Sequence, residues 1–241
     1  MKLARPDVFH PRVVLAGCPQ MVTGDGDDDG LVGALRRRGL FANWLSWDDP
    51  ETARADVVIL RATRDYAQRL DEFLAWTTTV RHVLNPAAAV AWNADKRYLL
   101  DLARRGVPIG RSVQVQPDDA RVDHDGETAL VFLGGKASHA FSKEAVTPAE
   151  PDFELWDLGF DALLAAAGQI GIGAAELLYA RVDVIGGIDD PRLLELDLID
   201  PSLGWSQLDA GTRERQQREF ALAVESALER LGLGPLSHRR P

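Results

Sequence analysis

Two short segments near the end of the sequence carry charged side chains at alternate positions; they read YARVDV and LLELDLID. Successive side chains on a β-strand point to opposite faces, so Arg181 shares a face with Asp183. Glu195 shares a face with Asp197 for the same reason. A hairpin folded symmetrically about Asp189 places Asp183 opposite Glu195, and it places Arg181 opposite Asp197. The sequence therefore predicts three carboxylates and one guanidinium on one patch of sheet.

This predicted patch has the chemistry of a site for a divalent cation. Like charges directly opposite each other on neighbouring strands destabilise a sheet, and a bound cation removes that repulsion. A ligand set made only of oxygen suits Mg²⁺, so Asp183, Glu195 and Asp197 are candidate metal ligands. The same alternation also fits an amphipathic hairpin whose charged face is simply solvated.

Lys96 is one of only four lysines in the chain. The residues around it predict a helix from Ala94 to Arg105, with Asn93 as its N-cap and Gly106 as its end. Lys96 then lies in the first helical turn, where the helix dipole disfavours a cation. Such a departure from local preference is expected where a phosphate binds, although an ordinary surface lysine fits as well.

A predicted strand from Lys136 to Lys143 carries two further candidates. His139, Phe141 and Lys143 share one of its faces. Lys143 is placed to reach a phosphate or a carboxylate, or else is an ordinary charge at a strand end. His139 is a candidate base or substrate contact, and the alternative is a structural histidine.

Charged residues also follow two predicted strands of the N-terminal half. Four aspartates, Asp25, Asp27, Asp28 and Asp29, precede the first predicted helix. They are candidates for contacting a substrate amine, or they cap the helix. Arg61 follows the third strand, at the end where open sheets bind ligands, and is a candidate clamp for a substrate carboxylate. An exposed loop arginine without such a role is the alternative.

The elements that must position these residues differ between the two halves. In the N-terminal half, strands and helices alternate, which predicts an open, largely parallel sheet with helices packed on it. The predicted strands are 12–17, 41–47, 56–60 and 82–84, and the predicted helices are 31–38 and 69–80. In the C-terminal half, two hairpins predict antiparallel structure: 128–133 with 136–143, and 176–185 with 193–199. Helices are predicted there at 159–170 and 213–231.

Composition restricts the class of protein. The chain has 241 residues, of which 46% are hydrophobic and 27% charged, as in an ordinary globular protein. A net charge of −10 disfavours nucleic acid or an anionic membrane as a partner. No apolar run is long enough to span a bilayer, and the N-terminus lacks the apolar region of a signal peptide. The single cysteine, Cys18, excludes an internal disulfide, and together these features predict a cytoplasmic protein.

The order of several short motifs resembles that of the ATP-grasp ligases, in particular the glutathione-synthetase-like enzymes. The motifs that carry this resemblance are Asn85-Pro86, Trp92 to Lys96, Gly106-Val107-Pro108, Gly126 to Phe132, Ser138 to Ala140 with Lys143, Arg181 to Asp183, and Leu194 to Leu203. They are similar to the subgroup that contains the cyclo-ligase of cycloserine biosynthesis. The resemblance implies an α/β pre-ATP-grasp domain in residues 1–108 and an α+β ATP-grasp lobe with antiparallel hairpins in residues 109–241.

The resemblance also implies a role for each candidate. Lys96 would contact the phosphates of ATP, and Mg²⁺ would be held by the carboxylates of the predicted patch. Arg181 and Lys143 would act on the transferred phosphoryl group and its acceptor. The substrate pocket would be lined by Asp28, Arg61 and Ser202. The implied activity is an ATP- and Mg-dependent ligation of a carboxylate to an amine, or a ring closure, through an acyl-phosphate on a small amino-acid-like substrate; a homo-oligomer is compatible with it.

One departure from the family weighs against this activity. Between Pro108 and Gly126 the family carries several dozen residues that form a lobe over the nucleotide. Here the interval 109–125 contains no lysine and a single glycine, Gly110. The lobe is therefore missing and the ATP-grasp lobe is truncated, so whether the chain is an active enzyme stays open. The rival hypothesis is a catalytically impaired relative that serves as a module binding a small molecule or a protein.

Overall fold

The computed structural model describes residues 10–110, 126–145 and 147–234. The chain folds into two compact units. The first consists of residues 1–87 together with 209–241, and the second consists of residues 88–208. The sequence places a boundary between residues 108 and 109 instead. The units differ from that division because helices between residues 87 and 104 pack with the second unit's core, whereas the last helix packs in the first unit.

The first unit is built on a four-stranded parallel sheet. Its strands are β1 (Arg12–Gly17), β2 (Phe41–Ser46), β3 (Val57–Ala62) and β4 (Val83–Leu84), in the spatial order β2-β1-β3-β4. Its helices are α1 (Leu31–Arg37), α2 (Leu70–Thr79) and α6 (Ala210–Arg230). The predicted open parallel sheet is thus confirmed. The central strands β1 and β3 are almost continuously apolar and buried, as strands covered on both faces must be.

The closing helix α6 begins three residues earlier than the sequence predicts at Arg213. Its N-cap is Asp209, whose carboxylate accepts hydrogen bonds from the backbone N–H groups of Gly211 and Thr212. Those bonds satisfy two donors that have no partner inside the helix. The helix buries Phe220 and Val224 among other apolar residues and packs against α1.

The second unit is a five-stranded antiparallel sheet covered by helices. The strands are β5 (Thr128–Leu133), β6 (Lys136–Ser142), β7 (Thr147–Ala149), β8 (Tyr179–Ile185) and β9 (Arg192–Asp197). Their spatial order is β7-β6-β5-β8-β9, which confirms the two predicted antiparallel hairpins and adds β7. The helices are α3 (Ala87–Asn93), α4 (Tyr98–Arg104) and α5 (Phe153–Ile170). One apolar core joins α4, α5 and the inner face of this sheet.

The turn between β5 and β6 shows why its two glycines are needed. Gly134 and Gly135 both adopt positive φ angles, 56° and 77°, which side chains rarely allow. A Cβ atom on Gly135 would also lie 2.9 Å from backbone atoms of Ala174. The tight turn therefore fixes the register of β6 against β5.

Two helix predictions are corrected by the structure. The helix predicted from Ala94 to Arg105 is present, but it starts only at Tyr98 and ends at Arg104, and a separate helix, α3, ends at Asn93. Asn93 does not cap a helix, because its side chain bonds to strand β9 instead. Helix α5 also starts at Phe153, six residues before the predicted Gly159.

Among the described residues, no helix is both long and apolar enough to cross a membrane. The short interval 109–125 lies outside the described residues except for Ile109 and Gly110.

Candidate functional site

The hairpin formed by β8 and β9 brings the predicted charged residues onto one face of the sheet. In the observed register Asp183 pairs with Glu195, and Arg181 pairs with Asp197. This pairing is the one that alternation and a symmetric turn predict. A β-bulge follows Asp183, so the register holds in the segment that carries the charges and shifts only toward the turn.

Asp183 lies at the centre of this face and is fully buried. Its Oδ1 accepts a hydrogen bond from Nε of Arg181 at 2.9 Å, and its Oδ2 accepts one from Nζ of Lys143 at 2.8 Å. Lys143 follows β6 directly and also forms an ion pair with Glu127, the residue before β5. A buried carboxylate requires such partners, because desolvation of an unpaired charge costs several kcal/mol, on the order of 3–5.

Arg181 joins the buried acid to the more open ones. Its Nη2 lies 3.4 Å from Oε2 of Glu195 and 3.8 Å from Oδ2 of Asp197. The arginine side chain is 12% exposed, whereas those of Glu195 and Asp197 are 42% and 21% exposed. The two strand β9 acids therefore form the open side of the cluster.

We call this cluster the acid patch; its members are Glu127, Asp183, Glu195, Asp197, Arg181 and Lys143. Four carboxylates face two cations, so the fully ionised patch has two negative charges in excess. The effect is visible at Glu195, whose pKa is raised by burial and by the charges of Asp197 and Asp183. Although burial alone favours the neutral amine, the Asp183 carboxylate raises the pKa of Lys143. The patch is thus a place where added positive charge is favourable.

The oxygen ligands of the patch suit Mg²⁺, but too few of them lie close together to hold the ion without further ligands. Among the described residues, no three acidic, histidine or cysteine side chains lie close enough together to hold a metal by themselves. Here Arg181 is hydrogen-bonded to two of the acids and lies near the third. Mg²⁺, however, is usually held by one or two carboxylates together with phosphate oxygens and water. Glu195 and Asp197, which are partly exposed, are the two carboxylates that would fit such a site.

Lys96 lies in the turn between α3 and α4 and is exposed. The residues on either side of this turn bind β9. Asn93 donates from Nδ2 to the carbonyl of Leu196 and accepts from the N–H of Leu198, both at 2.8 Å. The hydroxyl oxygen of Tyr98 accepts from the N–H of Leu196 at 3.0 Å. Leu196 separates the two acids of β9, so the turn that carries Lys96 is bonded to the strand that carries them.

The loop after β9 carries Ser202 and is fixed to the sheet at several points. Nε2 of His139 lies 2.7 Å from the carbonyl oxygen of Leu203, and Nδ1 lies 2.8 Å from Oγ of Ser138. A Cβ atom on Gly204, whose φ is 65°, would collide with the ring of Phe141. His139 and Phe141, which share one face of β6, therefore contact this loop and hold it in place. This contact favours the structural interpretation of His139.

Asp28 and Arg61 form a sealed ion pair in the first unit. Nε and Nη2 of Arg61 both donate to Oδ1 of Asp28 at 3.0 Å, and the side chains are only 1% and 5% exposed, respectively. Burial raises the pKa of Asp28, and the neighbouring Arg61 opposes that effect. Their proposed contacts with a substrate stay a prediction.

The aspartates before α1 do not cap that helix. The N-cap is Gly30, in a left-handed conformation with no side-chain hydrogen bond. Asp25 instead pairs with Arg64 at 2.5 Å and accepts from the N–H of Asp27. The alternative interpretation of these aspartates as capping residues is therefore wrong.

The sequence did not predict the observed roles of three residues in this region. Glu127 was part of a motif without a role, although its position beside Lys143 follows from the register of β5 with β6. Tyr98 and the true role of Asn93 had no usable signal, because both bind backbone atoms about a hundred positions away in sequence. Such contacts leave no periodic pattern in the sequence.

Comparison with known proteins agrees with this architecture. The family profile described as the N-terminal domain of D-cycloserine synthetase DcsG matches residues 13–85. The cycloserine biosynthesis protein DcsG of Streptomyces lavendulae is 27% identical over 263 aligned positions, which take in 74% of this chain and 88% of the relative. That alignment is longer than the 241 residues of this chain, so the relative has residues within the aligned region that this chain lacks.

Solved structures share the fold. The crystal structure of D-cycloserine synthetase DcsG has a TM-score of 0.76 at 24% identity and covers 91% of this chain and 99% of its own. The macrocyclase MdnB from Microcystis aeruginosa MRC has a TM-score of 0.56 at 15% identity, with coverages of 90% and 99%. The ATP-grasp ligase PsnB, solved with precursor peptide PsnA2 and AMPPNP, has a TM-score of 0.55 at 15% identity, with coverages of 88% and 98%. The chain is therefore homologous to D-cycloserine synthetase DcsG, and its fold is that of the ATP-grasp ligases.

Proposed function

We propose that this protein is an ATP-dependent ligase that activates a carboxylate as an acyl-phosphate and transfers it to an amine, within one molecule or between two. The observation that carries the proposal is the excess negative charge of the acid patch, in which Glu195 and Asp197 are partly exposed. Homology to DcsG and the fold of the ATP-grasp ligases support ATP-dependent ligase activity. An amino-acid-like substrate, a homo-oligomeric state and a cytoplasmic location remain predictions, as does the lack of nucleic-acid and membrane partners.

The residues of the patch divide the work. Glu195 and Asp197 would hold Mg²⁺ from the open side, while Asp183 keeps Arg181 and Lys143 in place from below. When bound, the cation would neutralise charge on the phosphates. Arg181 and Lys143 would offer N–H donors to the transferred phosphoryl group, where negative charge develops.

The proposed reaction has two steps that balance. A carboxylate oxygen of the substrate attacks the γ-phosphorus of ATP, the bond to the β-phosphate oxygen breaks, and ADP leaves. The lone pair of an amine nitrogen then attacks the acyl carbon, inorganic phosphate leaves, and the nitrogen loses a proton. Lys96, exposed beside the edge of β9, is the proposed contact for the ATP phosphates.

A second candidate function rests on the interval between Pro108 and Gly126. It contains neither a lysine nor a glycine-rich run that would cover the phosphates, so ATP affinity and exclusion of water should both fall. On this alternative the chain is a catalytically impaired relative that binds a small molecule or a protein.

Calorimetric titration with Mg·ATP separates the two candidates. For the ligase, we expect binding by the wild type and loss of binding in Glu195→Gln, which removes one of the two proposed metal ligands. Glu219→Gln is the matched control, since it deletes the same charge from an exposed position on α6 in the other unit.

The chemical step needs its own assay. Incubation with Mg·ATP, a panel of amino acids and hydroxylamine should yield ADP and a hydroxamate, because hydroxylamine traps acyl-phosphates. Glu195→Gln should abolish both products, whereas Glu219→Gln should not. Millimolar or undetectable Mg·ATP binding by the wild type would favour the binding module and end the case for catalysis.

A further inference from the structure

Strand β9 is one of the two edge strands of the second unit's sheet, and backbone groups on its outer side are hydrogen-bonded at Leu193, Leu196 and, just beyond the strand, Leu198. An edge strand presents N–H and C=O groups that its own sheet leaves unpaired. At the start of β9 the N–H of Leu193 donates to the carbonyl of Pro108, and its carbonyl accepts from the N–H of Gly110, both at 2.8 Å. Backbone atoms of the chain leaving α4 therefore cover the first part of this edge.

Further along the edge, side chains take over from backbone. Both the N–H and the C=O of Leu196 are bonded to side chains, to Tyr98 and Asn93 respectively, and Asn93 also accepts from the N–H of Leu198. All three bonds are buried. We call Asn93 and Tyr98 the edge clamp.

The two residues of the edge clamp flank Lys96 in the sequence, and both bond the residue that lies between the two acids of β9. Asn93 precedes Lys96 by three residues and Tyr98 follows it by two. Both form hydrogen bonds with the backbone of Leu196, whose neighbours in the strand are Glu195 and Asp197. The phenol of Tyr98 is close enough to the patch that, besides burial, the charges of Glu195, Asp197 and Asp183 raise its pKa.

We propose that Asn93 and Tyr98 are positioning residues that lock the Lys96 turn to strand β9, so that one polyphosphate can be held by Lys96 while its cation is held by Glu195 and Asp197. The inference rests on the proposed function and adds a new element to it. The clamp residues contact no ligand themselves. They act by fixing the register between two groups that bind different parts of the same ligand, as outer residues do in metal sites.

The test is a double-mutant cycle on the affinity for Mg·ATP. Lys96→Met should weaken binding in the wild-type background. Tyr98→Phe, which removes one hydroxyl and keeps the ring, should weaken binding roughly tenfold, the usual effect of losing a supporting residue. In the Tyr98→Phe background, Lys96→Met should add little, because Lys96 no longer points to the same ligand.

Trp92→Phe is the matched control. It removes an N–H donor whose bond runs to Asp101 rather than to β9, and it keeps an aromatic ring beside that of Tyr98. We expect unchanged affinity and unchanged coupling to Lys96→Met. Amide exchange supplies a readout without nucleotide: Asn93→Ala should accelerate exchange at Leu198, Tyr98→Phe should accelerate it at Leu196, and Trp92→Phe should accelerate neither.

Failure of the clamp and failure of the function give different results. If the wild type binds Mg·ATP and the penalties of Tyr98→Phe and Lys96→Met simply add, the clamp inference is overturned and the ligase proposal stands. If the wild type binds no Mg·ATP, the proposed function falls and the inference falls with it. Should Asn93→Ala fail to fold, the nearly isosteric Tyr98→Phe still decides the question.

Discussion

Each unit of this protein buries an aspartate beside an arginine, but the two pairs differ in their surroundings. In the first unit, the side chains of Asp28 and Arg61 are almost fully buried and are hydrogen-bonded to each other. In the second unit, Asp183 and Arg181 are also bonded, yet Arg181 continues to Glu195 and Asp197, which reach solvent. The Asp28–Arg61 pair is thus buried, whereas the acid patch is partly exposed and has negative charge in excess.

This difference affects how strongly each cluster should attract an added cation. A buried pair that satisfies itself has no attraction left for a ligand, and its main effect is that neither partner can be removed alone. A partly exposed cluster with excess charge pays a continuing electrostatic cost, and a cation relieves it. By this criterion we expect a cation to bind at the acid patch, while contacts of Asp28 and Arg61 with a substrate stay a prediction.

The largest effect is expected from Arg61→Met. It leaves the Asp28 carboxylate buried without a counter-charge, so the free energy of unfolding should fall by about 3–5 kcal/mol. Urea denaturation measures this loss. The double variant Arg61→Met with Asp28→Asn should recover most of it; a mild effect of the single variant would show that the pair is not sealed.

A smaller loss is expected from Asp183→Asn. Asparagine takes away the negative charge shared by Arg181 and Lys143, but Arg181 keeps Glu195 and Asp197, and Lys143 keeps Glu127. The free energy of unfolding should fall by about 2–3 kcal/mol, the value of hydrogen bonds to charged groups. A loss as large as that of Arg61→Met would contradict the distinction between the clusters.

Glu195→Gln should have the opposite sign. It removes a charge that faces Asp183 directly and lies near Asp197, so without metal the fold should gain about 0.5 kcal/mol after allowance for solvent screening. Urea denaturation without and with Mg²⁺ checks this, since Mg²⁺ should stabilise the wild type but not the variant. A destabilised variant would mean that the bond from Arg181 outweighs the repulsion between the acids.

The smallest effect is a pH dependence. Because the folded pKa of Glu195 is raised above its ordinary 4.5, the native state binds the proton more tightly than the unfolded state does. Its contribution to stability is therefore present at low pH and is lost as the pH rises through the window above 4.5. The melting temperature of the wild type minus that of Glu195→Gln should decrease across this window, and added Mg²⁺ should reverse the trend. A flat difference would show that Glu195 titrates normally.

The sequence by itself determined the two sheets and the pairing of the acids. Continuous apolar strands alternating with helices require a covered parallel sheet, and charges at every second position require one charged face. Alternation and a turn centred on Asp189 predicted that Asp183 lies opposite Glu195, and the structure has that pairing. Nearer the turn the register differs by one residue, because a β-bulge that the sequence did not predict follows Asp183.

Tertiary structure alone decided which charges are open and which are sealed. Nothing local distinguishes Arg61 from Arg181, since each lies in or at the end of a strand with an acid nearby. The burial of each arginine depends on its partners in the fold. The partner of Arg61 is 33 positions away, and the partners of Arg181 are 2 to 16 positions away. Asn93 shows the same limit, because the local pattern of a helix cap gave way to bonds with an edge strand 103 and 105 residues further on. Unpaired edge groups must be satisfied, and only the assembled fold determines which side chain is near enough to do so.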